Sequence, residues 1–429
     1  MYENGLYIFR RDLRIVDNVG LYLLQQQCKH IYTIFIYTPE QIQEKKNIYY
    51  SAKSVDFMNQ CILDLQKEIK KYHGELYLLY GTNNEIISNL ISLLNIDIVA
   101  FNRDYTPYAR KRDDEIIELC SKSQVKVIQG LDYYLLDPET IPFYKKFTPF
   151  YHFVRTIPIQ KPLPISTFSF KQYPMTSVII NTLQPLMLNG GRLEAWKHIN
   201  SFHDYITDDL NKSTSLLSPY IKYGCISIRE LYHLFKHKIN WIRQLYWREF
   251  YALVLYHTQS YQAMYPSKSL RWNYNQLWFS KWCNGETGFP IIDASMRHLN
   301  HSGYMHNRSR LIVSNFLVKI LLISWKYGEL YFANKLIDYD PASNNGNWQW
   351  TAGVGVDSQP YFRILNPWIQ SKKFDPECTF IKHWIPELKE IPTKHIHQWY
   401  EFYKNYNIYI IPICDFFIQK DKYFNKINK

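Results

Sequence analysis

The chain has 429 residues, 46% of them hydrophobic and 21% charged, with a formal net charge of +12. This is room for two or three domains with full cores, and it excludes a disordered chain. Its seven cysteines, at positions 28, 61, 120, 225, 283, 378 and 414, form no CxxC pair, which argues against a disulfide scaffold or structural zinc and for reduced, buried thiols.

At the N-terminus, MYENGLYIFRRDLR places Glu3, Arg10 and Arg11 where a signal peptide would need an apolar run, so an intracellular protein is expected. Up to residue 135, the runs LYIF, IYTIFIY, LYLLY and IDIVAF alternate with helical patterns over 51–71, 85–94 and 107–122. This βαβ rhythm predicts an α/β domain over 1–135 with a parallel sheet covered on both faces. No GxGxxG follows any of these strands, so the dinucleotide fingerprint is missing. Prolines at 138, 142, 149, 158, 162, 164, 174 and 185 make 136–190 a connector. From 191 to 429 the period changes to 3.6, as in RELYHLFKHK and RQLYWREFYALVLY, which predicts a helical domain.

The charge is uneven. Residues 1–190 hold 21 Lys and Arg against 19 acids, whereas 191–429 hold 29 against 19, which points to a polyanionic partner of the second half. The longest apolar run, LIVSNFLVKILLISW from Leu311 to Trp325, is shorter than a bilayer span and contains Asn315 and Lys319. It reads as a buried helix, and no membrane is expected.

Four segments of the second half carry candidate chemistry. In STSLLSPY, hydroxyls gather before a helical pattern; Thr214, Ser215 and Ser218 either cap that helix or cradle a pyrophosphate at its unpaired N–H groups. In RQLYWREFY, Gln244, Trp247, Arg248 and Tyr251 share one helical face, which suits a flat polar ligand or, equally, an aromatic core stripe with a snorkelling arginine. In GYMHNRSRL, Asn307, Arg308 and Arg310 sit in the first turn of a helix, where cations are electrostatically misplaced unless an anion lies nearby. DYDPASNNGNWQW, from Asp338 to Trp350, is too poor in aliphatic residues for an ordinary core helix and too aromatic for a solvated loop. His233 and His237 have the spacing of a helical metal pair, but no third ligand is apparent and no metal is expected.

With FRRDLRIVDN, FTPFY, GETGFPIIDASMRHL and KFDPECTFIKHWIPEL, these segments run in order along nearly the whole chain, and the sequence resembles the DNA photolyase and cryptochrome family, above all photolyases of cyclobutane pyrimidine dimers. The resemblance implies a Rossmann-like N-terminal domain of the antenna-bearing type, followed by an all-helical domain that binds FAD and the DNA lesion. It implies that Tyr205, Thr214, Ser215, Leu216, Leu217 and Ser218 form the FAD-phosphate segment and that Arg248 is a further FAD contact. It places Arg310, Asp338 and Asp340 beside the isoalloxazine and Asn344 at flavin N5. Trp272, Trp325 and Trp348 match an electron-transfer chain. Trp247 and Trp350 match the walls of a flipped-out lesion; Asn307 and Arg308 match lesion contacts; Arg363, Gln370 and Lys373 match a DNA-facing rim. UV-damaged DNA is the implied partner of a monomer, and a second, antenna chromophore, folate or deazaflavin, is left open.

The sequence departs from that pattern in places. Gln244 stands where dimer photolyases usually have Glu, and Gln is common there in (6-4) photolyases and animal cryptochromes. The (6-4) enzymes carry a histidine pair where this chain has Asn307 and Leu311, neither of which can donate a proton in that role. The cyclobutane dimer is therefore the expected substrate, with the (6-4) lesion and a light-signalling role as alternatives. Leu311 replaces a frequent Met, Leu216 a frequent polar residue, and Asp209 a frequent Arg.

Overall fold

The computed structural model describes residues 1–429 except 165–166, 181–185, 203–207, 213, 262–271, 361 and 428–429. The chain forms two compact units: Met1–Asp204 with Ser215–Ser260 and Asp340–Ala342, and Tyr205–Thr214 with Tyr261–Tyr339 and Ser343–Lys429.

The first unit is built on five parallel strands, β1 (Tyr2–Phe9), β2 (Cys28–Tyr37), β3 (Leu76–Tyr80), β4 (Ile98–Asn102) and β5 (Lys126–Gly130), in the order β3-β2-β1-β4-β5. Helices α1 (Val19–Gln25), α2 (Ala52–Lys70), α3 (Asn83–Leu94) and α4 (Pro107–Lys122) make the crossovers. Their starts are set locally: Ser51, Thr82 and Thr106 each accept a backbone N–H three residues on, and Pro107 opens α4 with φ already helical. All five residues of β4 and the last five of β1 are buried, as a parallel sheet covered by its crossovers requires. β1 starts four residues before the LYIF run, because the ladder with β2 continues through Tyr2 and Asn4 on the exposed end of the strand.

The motif FRRDLRIVDN holds this unit together. Asp12 accepts from Tyr7 Oη at 2.5 Å, from Asn102 Nδ2 at 2.6 Å and from the Arg10 N–H at 2.7 Å. Arg14 and Arg229 converge on Asp132 at 2.7–2.8 Å, and Asp17 accepts from Ser227 Oγ and the Arg229 guanidinium. All of these side chains are buried, so the pairing satisfies charges that could not otherwise be carried inside. The connector is docked rather than loose: Ile31 of β2 bridges Phe170, and Val178 N–H donates to the Leu78 carbonyl at 2.8 Å. The unit also holds α5 (Phe147–Val154), α6 (Ser218–Lys222) and α7 (Ile239–Thr258).

Among its described residues the second unit is helical, around a core that includes Trp282, Phe316, Leu317, Trp348 and Trp399. The apolar run Leu311–Trp325 is buried as expected but is not one helix. Helix α8 (Asn307–Asn315) widens into a π-helical turn, Phe316–Ile320, the chain breaks at Leu322 in a left-handed conformation, and α9 (Trp325–Lys335) begins anew with Ser324 as its cap. The stretch after Asp340 forms α10 (Pro341–Ala352). It is a helix despite its composition because its buried amides serve one another: Gln349 Nε2 donates to Asn345 Oδ1 at 2.5 Å, and Asn345 Nδ2 donates to the Tyr261 carbonyl at 3.2 Å. Helices α11 (Pro367–Phe374) and α12 (Phe416–Ile427) complete the elements used below.

Candidate functional site

In the second unit, α9 and α10 bring Asn344 against Glu329. Asn344 Nδ2 donates to the Glu329 carbonyl at 3.2 Å and to Oε1 at 3.1 Å, and Tyr339 Oη donates to the same Oε1 at 3.3 Å. Burial raises the Glu329 pKa, and these two hydrogen bonds only partly counter it. Both bonds of Asn344 use its nitrogen, so its carbonyl oxygen is the atom presented as an acceptor.

Arg310 Nη2 donates to Asp338 at 2.7 Å, its Nε donates to the Met305 carbonyl at 2.8 Å, and its guanidinium lies over the Tyr304 ring. Burial disfavours the arginine charge, but the Asp338 carboxylate more than offsets it and raises the Arg310 pKa. Tyr304 Oη in turn bonds Thr214 Oγ1 at 3.0 Å. Arg308 donates to Asp208 at 2.5 Å and covers the Phe374 ring. The anions that answer these two misplaced arginines are thus carboxylates of the protein itself, while Asn307 stands exposed at the helix start.

Trp325 and Trp348 are buried in one aromatic core, and Trp272, half-buried, packs at its edge. Trp350 is half-buried; Arg363 and Lys373 are exposed and Gln370 is half-buried, the last two on α11.

In the first unit, α7 presents Gln244 exposed, Trp247 and Arg248 half-buried, and Tyr251 buried, so the stripe runs from solvent into the core. Trp247 stacks on Phe147 of α5 with ring centroids 3.7 Å apart and planes 5° apart. Arg248 donates to the Tyr133 carbonyl at 2.7 Å and lies over the Tyr134 ring. Asp340 pairs with Arg11 at 3.3 Å, and Arg11 also reaches Asp104 at 3.1 Å.

The capping reading of STSLLSPY does not hold. Helix α6 has only five residues, its cap position is Leu217, and no side chain caps it. Leu216 instead takes a left-handed φ of 52°, Thr214 and Ser215 sit in the loop before it, and Ser218 is the first residue of the helix itself. Tyr205 lies outside the described residues.

Comparison with known proteins decides the family. Residues 5–166 match the DNA photolyase model and residues 241–428 match the FAD binding domain of DNA photolyase. The deoxyribodipyrimidine photo-lyase of Buchnera aphidicola subsp. Acyrthosiphon pisum is 36% identical, over 95% of this chain and 92% of its own length. The chain belongs to the DNA photolyase family.

The photolyase of Sulfolobus tokodaii, a structure described with two FAD molecules, superposes with a TM-score of 0.91 at 34% identity, over 99% of each chain. A cryptochrome from Synechocystis sp. PCC6803 gives a TM-score of 0.90 at 24% identity, over 99% of each chain, a likeness of fold alone. The architecture expected for the family, a Rossmann-like α/β part and a helical FAD-binding part, is the one found. Among the described residues no helix is long and apolar enough to cross a membrane.

The donor set of the chain suits a flavin. A guanidinium charge-compensated by Asp338 at Arg310 and an amide at Asn344 are chemically suited to a ring system that carries both hydrogen-bond acceptors and an N–H donor. Sequence reasoning missed the residues that hold these groups: Glu329, Tyr304, Arg11 and Phe147. Glu329, Tyr304, Arg11 and Phe147 are remote in sequence from Asn344, Thr214, Asp340 and Trp247; Tyr304, Arg11 and Phe147 stand in the quoted segments GYMHNRSRL, FRRDLR and FTPFY, whereas Glu329 lies in none.

Proposed function

We propose that the protein is a light-driven repair enzyme that splits cyclobutane pyrimidine dimers in DNA, a deoxyribodipyrimidine photo-lyase acting as a monomer. Bound FAD, when reduced and excited by blue light, supplies the electron that opens the dimer. On this reading 1–135 is the antenna-type domain, 136–190 the connector, and 191–429 the part that holds FAD and the lesion.

The observation that carries the reading is the fixed amide of Asn344, with its oxygen presented as an acceptor and its nitrogen retained by Glu329. An acceptor oxygen is suited to the N5–H of a reduced flavin, whereas a carboxylate would oppose an anionic one. Thr214, Ser215, Leu216, Leu217, Ser218 and Tyr205 hold the phosphates, and Arg248 is a further FAD contact; Arg310, Asp338 and Asp340 flank the ring. Trp272, Trp325 and Trp348 refill an oxidised flavin with electrons. Trp247 and Trp350 wall the lesion, which has to leave the duplex to be reached, as the target base does in enzymes that flip it out of the stack, photolyases among them. Asn307, Arg308 and Gln244 contact the lesion, and Arg363, Gln370 and Lys373 the DNA backbone, so binding weakens with salt.

The test offers the FAD-loaded, reduced protein both a cyclobutane dimer and a (6-4) lesion under blue light. Restoration of the dimer alone is expected. Repair of the (6-4) lesion alone assigns Gln244 to that chemistry, and repair of neither favours a photoreceptor.

A further inference from the structure

Lys319 lies in the π-helical turn with its side chain wholly buried. Its Nζ donates to the Arg363 carbonyl at 2.9 Å. Asn315, four residues earlier and on the same side of the helix, donates to that carbonyl at 3.3 Å and accepts the Leu365 N–H at 2.9 Å. The widened turn lets both side chains reach one short stretch of backbone, a use typical of π-helical insertions. Directly after that stretch, Asn366 caps α11 by accepting the Trp368 and Ile369 N–H groups. Lys319 and Asn315 therefore fix the stem from which exposed Arg363 projects and from which α11 carries Gln370 and Lys373.

The lysine is a costly way to hold a carbonyl. A methionine fills a similar volume without burying a charge, and burying an ammonium is unfavourable even when it is hydrogen-bonded. Burial, and secondarily the like charge of Arg363, lower the Lys319 pKa to about 7. Among the described residues, Arg363 acts on it as a like charge, and the ring of Tyr423 on α12 lies under its Nζ, 5.8 Å away. Such a group changes charge easily when an anion arrives next to Arg363.

We propose that Lys319 is a positioning residue for the DNA-facing rim: with Asn315 it fixes the backbone at Arg363–Leu365, and DNA phosphates bound there draw a proton onto it. The proton comes from the buffer and converts the amine to an ammonium, with no other bond made or broken. The inference rests on reading Arg363 as a DNA contact.

Calorimetric titration of the FAD-loaded protein with a duplex carrying one cyclobutane thymine dimer, at pH 7.5 in buffers of different ionisation heat, reads proton uptake directly. Binding is expected to take up about half a proton. Lys319→Met should abolish the uptake and weaken binding about three- to tenfold at pH 6.5, while its urea midpoint at that pH stays equal or rises. Lys319→Arg, permanently charged, should also lose the uptake but keep most of the affinity. Equal uptake by the unaltered protein and Lys319→Met overturns the proposal, as does a loss of affinity matched by a loss of stability. Arg363→Ala separates the two levels: unchanged affinity in it removes the rim reading, whereas weakened binding in Arg363→Ala without any in Lys319→Met removes this inference alone.

Discussion

Glu329 holds the nitrogen of Asn344 twice, once through its backbone carbonyl and once through Oε1, at 3.2 and 3.1 Å. An amide held this way cannot exchange its two ends without leaving Glu329 with a carbonyl facing a carboxylate. Asn344→Asp puts a second acid beside the first, and Glu329→Ala lets the amide turn. Both changes should lower the reduction potential of the bound flavin, by about 60 mV or more, a tenfold shift in a one-electron equilibrium. Redox titration of the loaded protein measures this; unaltered potentials in both variants contradict the orienting role.

Phe147 covers one face of the Trp247 indole at 3.7 Å. On the proposed reading of Trp247 as a wall of the lesion site, this stacking fixes the ring that a base would meet. Removing the support in Phe147→Ala should cost about 0.5–1.5 kcal/mol of lesion binding, two- to tenfold in affinity. Undamaged duplex, which keeps its bases stacked, should bind nearly as before. An equal loss for both duplexes would mean that Trp247 serves packing alone.

Much of this was legible in the sequence where local rules decide. The βαβ rhythm gave a parallel sheet, the helical patterns over 85–94 and 107–122 fell on α3 and α4, and the change of period marked the helical part. What was not legible depends on partners far along the chain. The run through Lys319 looked like one buried helix because hydropathy cannot register a π-turn or the left-handed Leu322. The hydroxyls of STSLLSPY looked like caps because they gather before a helical pattern, yet the backbone turns at Leu216, which leaves Thr214 and Ser215 in a loop and puts Leu217 at the cap position. Arg308 and Arg310 signalled a nearby anion correctly, but no local pattern could say that Asp208 and Asp338 supply it.

Glu249 follows Arg248 on α7 and is buried, with Oε2 accepting the Leu136 N–H at 3.2 Å. Burial raises its pKa from 4.5 to about 7, against the pull of Arg248 and of the Leu135 and Leu136 N–H groups. The folded state then binds more protons than the unfolded one between these values, so this residue's contribution to stability is full below pH 4.5 and is lost as pH rises through 7. Glu249→Gln keeps an acceptor without the charge. It should raise stability at pH 8 by up to about 3 kcal/mol and change it little at pH 4.5. Urea unfolding at the two pH values checks the sign; a variant that is equally destabilised at both shows that the carboxylate is held for its geometry.

Gly328 lies under the indole of Trp348, where a Cβ would fall 2.2 Å from Cη2 and 2.5 Å from Cζ3. Trp325 is one turn earlier on the same helix, so α9 carries one of the tryptophans proposed as a relay and the floor on which another rests. Any side chain at 328 has to push Trp348 aside. Gly328→Ala should therefore cost about 1–3 kcal/mol by overpacking and slow the photoreduction of oxidised flavin. Trp348→Phe should suppress photoreduction more fully without the strain. Neither change touches the lesion walls, so repair by protein reduced chemically beforehand should persist in both. Flash photolysis measures the first activity and dimer repair under anaerobic blue light the second. If Trp348→Phe lost both to the same extent, Trp348 would be part of the flavin's support and the relay would have to run through other rings.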